Sequence, residues 1–245
     1  MLQNIKITLL VFITSIMPAQ HLKVEYENIN KSFASAKDVS ESEKKALDEF
    51  GKPQKEILFY ANGNSFYTNL PPKAIVNQKE KVKIDDKVTK VASEVFIVAK
   101  TKIYHNKDKE GLYQYKEFRG DEFYHYAKPK YKSIDYKEET EMIQSFLCKL
   151  VEVTFESGQL VKVWYTEDVP VSTGPYAYID FPGLVLKVES DNFLIYATKV
   201  SNEATEKDVE KINPNFTVYE GADYSKKMQE VNEQAKTPLK REIRL

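Results

Sequence analysis

Apolar and polar positions alternate with a period of two along much of the chain, the pattern of half-buried β-strands. His21 to Asn28 sets Leu22, Val24 and Tyr26 against Lys23, Glu25 and Glu27. Ile57 to Tyr60 and Ser65 to Thr68 flank Asn62-Gly63, a pair that favours a two-residue hairpin turn. Glu94 to Tyr104 reads as one strand with an apolar run at Val95 to Val98, and Tyr131 to Tyr136 as a short one. Leu112 to Phe118 and Glu122 to Ala127 bracket Arg119-Gly120-Asp121 as a hairpin, as Leu184 to Glu189 and Phe193 to Val200 do around Ser190-Asp191-Asn192. The clearest hairpin is Phe146 to Thr166. A loop of Ser157-Gly158-Gln159 would set residue 155 opposite 161, 153 opposite 163 and 151 opposite 165, with Val151, Val153, Val161 and Val163 on one face.

Three stretches depart from this period. Ser32 to Gly51 is polar, with Ser40 and Glu43 spaced as a capping box, and reads as a short helix or a loose excursion. Lys73 to Lys90 is Lys-rich and aperiodic, and reads as a loop. Residues 223–236 read as a C-terminal helix capped by Asp223, with Tyr224, Met228, Val231 and Ala235 on one stripe and Pro238 beyond its end. Residues 237–245 form a basic tail. No repeat or linker divides Leu22 to Val218. The pattern therefore predicts one mainly β domain over residues 20–245. Its sheet should be a single curved antiparallel one, or a partly open barrel, of about ten strands.

Composition narrows the function classes. Lys and Arg total 36 against 37 Asp and Glu, a net charge of −1, so neither nucleic acid nor anionic lipid is expected as a partner. Met1 to Lys6 followed by the apolar run Ile7 to Met17 has the form of a signal peptide over residues 1–19, cleaved after Ala19. A run of eleven residues falls short of the ~20 that cross a bilayer, so no integral membrane span is expected. The chain is expected to be exported, periplasmic or extracellular. Cys148 is the single cysteine, which excludes an internal disulfide, and its strand setting predicts a buried, inert thiol.

Candidate chemistry is sparse. His21, His105 and His125 have no zinc-ligand spacing and read as surface histidines; no metal, cofactor or catalytic set is expected. The nucleophile-elbow motif is absent, and Ser172 lies on a loop without an evident base. The carboxylate pairs Asp121-Glu122 and Glu167-Asp168 read as solvated loop charges, and Arg119-Gly120-Asp121 as a turn. The aromatic stretch from Tyr113 to Tyr136 reads chiefly as sheet packing.

Between the two best hairpins the chain concentrates turn chemistry. Pro170, Gly174, Pro175, Pro182 and Gly183 form its pivots, and Phe181 and Leu184 flank the Pro-Gly step and can pin it to the core. A type II turn at Pro182-Gly183 would give Gly183 a positive φ. Trp164 and Tyr165, adjacent in a strand, face opposite sides. The segment is either a rigid loop that shapes a cleft or docks a partner, or simply a wide connection. Trp164-Tyr165-Thr166, Val169-Pro170-Val171-Ser172, Gly174-Pro175-Tyr176 and Pro182-Gly183-Leu184 together resemble the GLPGLI family of secreted Bacteroidota proteins, which has no established activity. The eponymous motif is partly kept, with Asp180, Phe181 and Val185 standing for its Gly, Leu and Ile. The resemblance implies export and a shared scaffold. Trp164, Tyr165, Tyr176 and Phe181 are the candidate ligand or partner contacts. The expected function is a non-enzymatic binding or interaction module for an apolar or peptide-like ligand or an outer-membrane partner. The alternative is a hydrolase whose residues come from distant segments.

Overall fold

A computed structural model describes residues 21–31, 51–70, 75–76, 80–84, 88–92, 95–96 and 100–236. The expected signal peptide, the Ser32–Gly51 helix (Gly51 itself apart) and the basic tail lie outside the described residues. The strands are β1 (His21–Asn30), β2 (Gln54–Ala61), β3 (Asn64–Asn69), β4 (Ile75–Val76), β5 (Glu80–Ile84), β6 (Val88–Ala92), β7 (Val95–Phe96) and β8 (Lys102–His105). They continue as β9 (Leu112–Phe118), β10 (Asp121–Ala127), β11 (Tyr131–Ile143), β12 (Phe146–Phe155), β13 (Leu160–Thr166), β14 (Leu184–Glu189), β15 (Phe193–Ser201) and β16 (Thr217–Tyr219). One helix, α1 (Gly221–Lys236), follows, two residues earlier than the Asp223 cap predicts.

Twelve strands form one open sheet in the order β11-β12-β13-β14-β15-β1-β2-β3-β8-β9-β10-β16. Its pairs are antiparallel except the last, where β16 runs parallel to β10. The other four strands pair among themselves, β4 with β7 and β5 with β6. So Lys73 to Lys90 is not a plain loop: Lys81-Val82-Lys83-Ile84 alternates with period two, and the lysines mask that alternation. The single strand expected from Glu94 to Tyr104 divides into β7 and β8. The short strand at Tyr131 is instead thirteen residues long, because its polar residues line an edge that stays exposed.

Three hairpins turn on two residues in the left-handed region or beside it. Asn62 and Gly63 have φ of 51° and 87°, Arg119 and Gly120 of 53° and 84°, and Gln144 of 55°. Gly158 is left-handed as well, at 84°. Its amide donates to the Phe155 carbonyl at 2.9 Å, so the loop is residues 156–158, one residue earlier than expected. A three-residue loop places its left-handed residue last, and Gly158 fixes that position. The register therefore becomes Val153 opposite Val161 and Val151 opposite Val163. The shift is two residues, so the valines keep their face.

Val151, Val163, Val188 and Ile195 lie side by side across β12 to β15 and are almost completely buried. With Leu22, Val24, Tyr26, Leu58 and Tyr67 they make the main core, and Cys148 is buried in it as expected, its thiol pushed up to about 12 by burial. The opposite face carries a smaller core of Phe66, Tyr104 and Tyr124, covered by Val209, Ile212 and Phe216. The aromatic stretch is mostly spent here: Tyr124 packs on Tyr104 and Phe216 with centroids 5.6 and 5.8 Å apart. α1 lies against the short β16 edge. Tyr224 stacks on His125, and Lys227 pairs with Asp121 at 2.6 Å while sitting over Phe123 and Tyr219.

Candidate functional site

The β13–β14 connection, residues 167–183, covers the main core. It is built from successive tight turns: the amides of Val171, Thr173, Ile179 and Gly183 each donate to the carbonyl two residues before, at 2.8 to 3.1 Å. It is also tied to β14, since Leu184 donates to Val169 and Val185 to Thr173. Val169, Val171, Tyr178, Ile179 and Phe181 are buried beneath it, and Phe181 and Leu184 pin the Pro-Gly step at 0% exposure. Gly183 departs from the expected turn. Its φ is not positive, nor is that of Asp180. A Cβ on Gly183 would instead lie 2.0 Å from the Thr166 carbonyl oxygen, so the glycine serves a close backbone approach, not a type II turn. Gly174 is confined in the same way, 2.6 Å from the Tyr178 oxygen and the Val185 side chain.

Trp164 and Tyr165 face opposite sides, as adjacency requires. Tyr165 is buried and stacks on Phe181, with centroids 6.3 Å apart. Trp164 is half-buried on the outer face. Lys187 Nζ lies 5.3 Å from its ring centre, and its Nε1 is buried without a hydrogen-bond partner. Tyr176 takes a left-handed φ of 50°, an unfavourable conformation for a bulky residue. Its side chain holds it there: the hydroxyl donates to Glu56 Oε1 at 2.9 Å and accepts from Asn28 Nδ2 at 3.2 Å.

Glu56 is a functional-site candidate that sequence reasoning missed. It is 2% exposed, accepts from Asn28 Nδ2 at 3.1 Å, and pairs with the Tyr67 hydroxyl. The register that places Tyr26 opposite Glu56, and Glu56 opposite Asn69, turns its carboxyl to the core face. In sequence, the mark was one charge where the Leu58 alternation of β2 calls for an apolar residue. Burial raises its pKa above the usual carboxylate value, against the lowering by its Tyr67, Asn28 and Tyr176 hydrogen bonds. A folded-state pKa above the unfolded one gives stability that is full below the unfolded pKa and is lost as pH rises through the folded value. The parent protein should therefore lose stability on that rise. Glu56→Gln, uncharged throughout, should remove this component of the slope. Urea melts of both proteins across that range check it, and parallel pH profiles would refute it.

A cleft of about 510 Å³ opens where the curled sheet brings β8 and β11 to either side of the connection. It is lined by His105, Glu110, Tyr136, Ser172, Ile179, Asp180, Phe181 and Pro182. His105 Nε2 lies 3.0 Å from the Lys109 carbonyl, which only accepts, so Nε2 carries the hydrogen. Burial lowers the His105 pKa and raises that of Asp180, and the two groups interact electrostatically. Glu110 pairs with Lys128. Ser172 and His105 share the cleft without a hydrogen bond between them, so the nucleophile–base contact of a serine hydrolase is not formed. The three histidines are half-buried, not free on the surface, and no group of three metal-ligating side chains occurs among the described residues. No helix among them is long and apolar enough to cross a membrane.

No curated protein matches the chain. Two solved structures of PNGF-II, in its P21 and C2 crystal forms, are similar in fold. The first has a TM-score of 0.56 at 16% identity, covering 87% of this chain and 34% of PNGF-II. The second has 0.51 at 17%, covering 86% and 32%. The chain thus spans about a third of the length of PNGF-II. A family model described as "Protein of unknown function (Porph_ging)" matches residues 80–187, a stretch that includes the whole of the Trp164 to Leu184 segment.

Proposed function

We propose that this chain is an exported, GLPGLI-type interaction module that docks an extended polypeptide segment of a partner along the edge strand β11. The two sheet edges carry this reading. β16 is three residues long and lies beside α1, whereas β11 is thirteen residues long and, among the described residues, pairs on one side alone, with β12. Ile134 and Tyr136 on it are 38% and 54% exposed although they extend the Val153 and Val151 rows of the core face. Long open edges are ordinarily shortened or covered, because their free backbone groups recruit other strands. Register shifts on either side of the Ser133–Tyr136 run confine regular pairing to a short stretch, which favours one register. The strand has four carboxylates; Asp135 pairs with Lys137 and Glu141 with Lys187, and the remaining Glu138 and Glu139 favour a basic segment.

Docking over enclosure is supported by the connection, whose Val169, Val171, Ile179 and Phe181 side chains pack into the main core. In this reading Tyr165, Tyr176 and Phe181 hold the connection, and Trp164 offers a contact on the outer face. The test is a photo-crosslinking residue at Tyr136 in the native host, with Lys207 as control position. The expected result is an adduct at 136 to one basic segment of one polypeptide. That segment, made synthetically, should slow amide exchange in β11. Equal adducts at 136 and 207, or exchange unchanged by the segment, would overturn the reading.

A further inference from the structure

We infer that the cleft between β8 and β11 is a seat for a cationic side chain, arginine or lysine, carried by the segment docked at β11. The chemistry of its lining is one-sided. With Nε2–H given to the Lys109 carbonyl, neutral His105 retains a lone pair on Nδ1, an acceptor. Asp180 interacts electrostatically with His105 but makes no hydrogen bond or ion pair among the described residues, so its carboxylate remains for a ligand, whereas Glu110 is paired with Lys128. Tyr136 contributes an aromatic ring that is 54% exposed and packed edge-on to Tyr165, at 6.3 Å between centroids. A carboxylate, an imidazole acceptor and an aromatic ring suit a donor-only cation. An anion would meet the Asp180 charge, and an apolar group would strand it.

The position of the cleft ties this seat to the edge. Tyr136 ends the regular run of β11, so a strand added there passes the cleft mouth and one of its alternate side chains turns inward. The identity of the cation's carrier rests on the interaction-module reading; the acceptor set does not.

The experiment titrates the purified full chain with N-acetyl-Gly-Arg-Gly-amide, followed by the His105 ring resonances in NMR. The matched peptide with neutral citrulline in place of arginine is the control. The arginine peptide should give a saturable shift with a Kd of about 1 mM. Asp180→Asn should weaken it roughly five-fold, as for a partly solvated ion pair. Tyr136→Ala should weaken it as well, with resonances remote from the cleft unmoved in both variants. An equal shift with citrulline, no saturation with arginine, or no loss in Asp180→Asn would each overturn the seat. Because no strand pairing is involved, failure here leaves edge docking standing, and failure of the Tyr136 cross-link leaves the seat standing.

Discussion

Gly183→Ala and Gly183→Val are both expected to destabilise the protein severely, at or above the upper end of the ~1–3 kcal/mol typical of overpacking. The first carbon of any side chain would sit 2.0 Å from the Thr166 oxygen and 2.7 Å from its carbonyl carbon. These are backbone atoms at the end of β13, so relief requires moving the strand or the connection. The connection is held by Leu184 N to Val169 O at 3.1 Å and Val185 N to Thr173 O at 2.9 Å, and Phe181 beside it is completely enclosed. Gly183→Asn separates the two roles a glycine can have. Asparagine tolerates a left-handed backbone, so a turn glycine would be partly rescued by it, whereas a glycine needed for close approach would not. Since φ at Gly183 is not positive, Asn should be as damaging as Ala. Denaturant melts of the three variants decide between these roles. Melting with the parent would show that residues 167–183 do not press on β13.

Phe181→Ala should cost about 3–5 kcal/mol, the range for emptying an aromatic site in a core. The ring is 0% exposed and lies 6.3 Å, centroid to centroid, from both Tyr165 of β13 and Tyr131 of β11. It thereby joins the connection to the edge strand, and its loss should loosen β11 as well as lower overall stability. Total stabilities of about 5–15 kcal/mol leave little after such a loss. Phe181→Leu, which refills part of the volume, should recover much of it. Thermal melts with amide exchange along β11 provide the check. Unchanged melting would mean that the connection is not packed on the core. Effects of Phe181→Ala and Gly183→Ala should not add, since both act through the same contact between connection and β13.

Local chemistry sufficed for much of the fold. Period-two alternation, with Asn62-Gly63, Arg119-Gly120 and Gly158 at its interruptions, determined the hairpins and the faces of the valines, because strand period and left-handed turns are properties of a few neighbouring residues. The stripe in 223–236 determined the helix, and the proline and glycine spacing marked Pro170 to Leu184 as an ordered segment. Side-chain alternation was enough to place Trp164 and Tyr165 on opposite faces.

Pairing between distant segments was decided by the tertiary structure alone. The neighbouring of β1 with β15, and the parallel addition of β16 to β10, join residues more than ninety positions apart, for which no local pattern carries a signal. The length of β11 was hidden because an exposed edge has no apolar face to alternate. Glu56 could be seen in sequence as a charge in a strand, but not as a buried one, since its partners Asn28, Tyr67 and Tyr176 come from three separate segments. The reason for Gly183 was likewise decided in three dimensions: a turn is written in adjacent residues, whereas a collision with Thr166 exists only once β13 and the connection have packed. The cleft of His105, Tyr136 and Asp180 depends on the curl of the sheet, which long-range packing sets and residue spacing does not record.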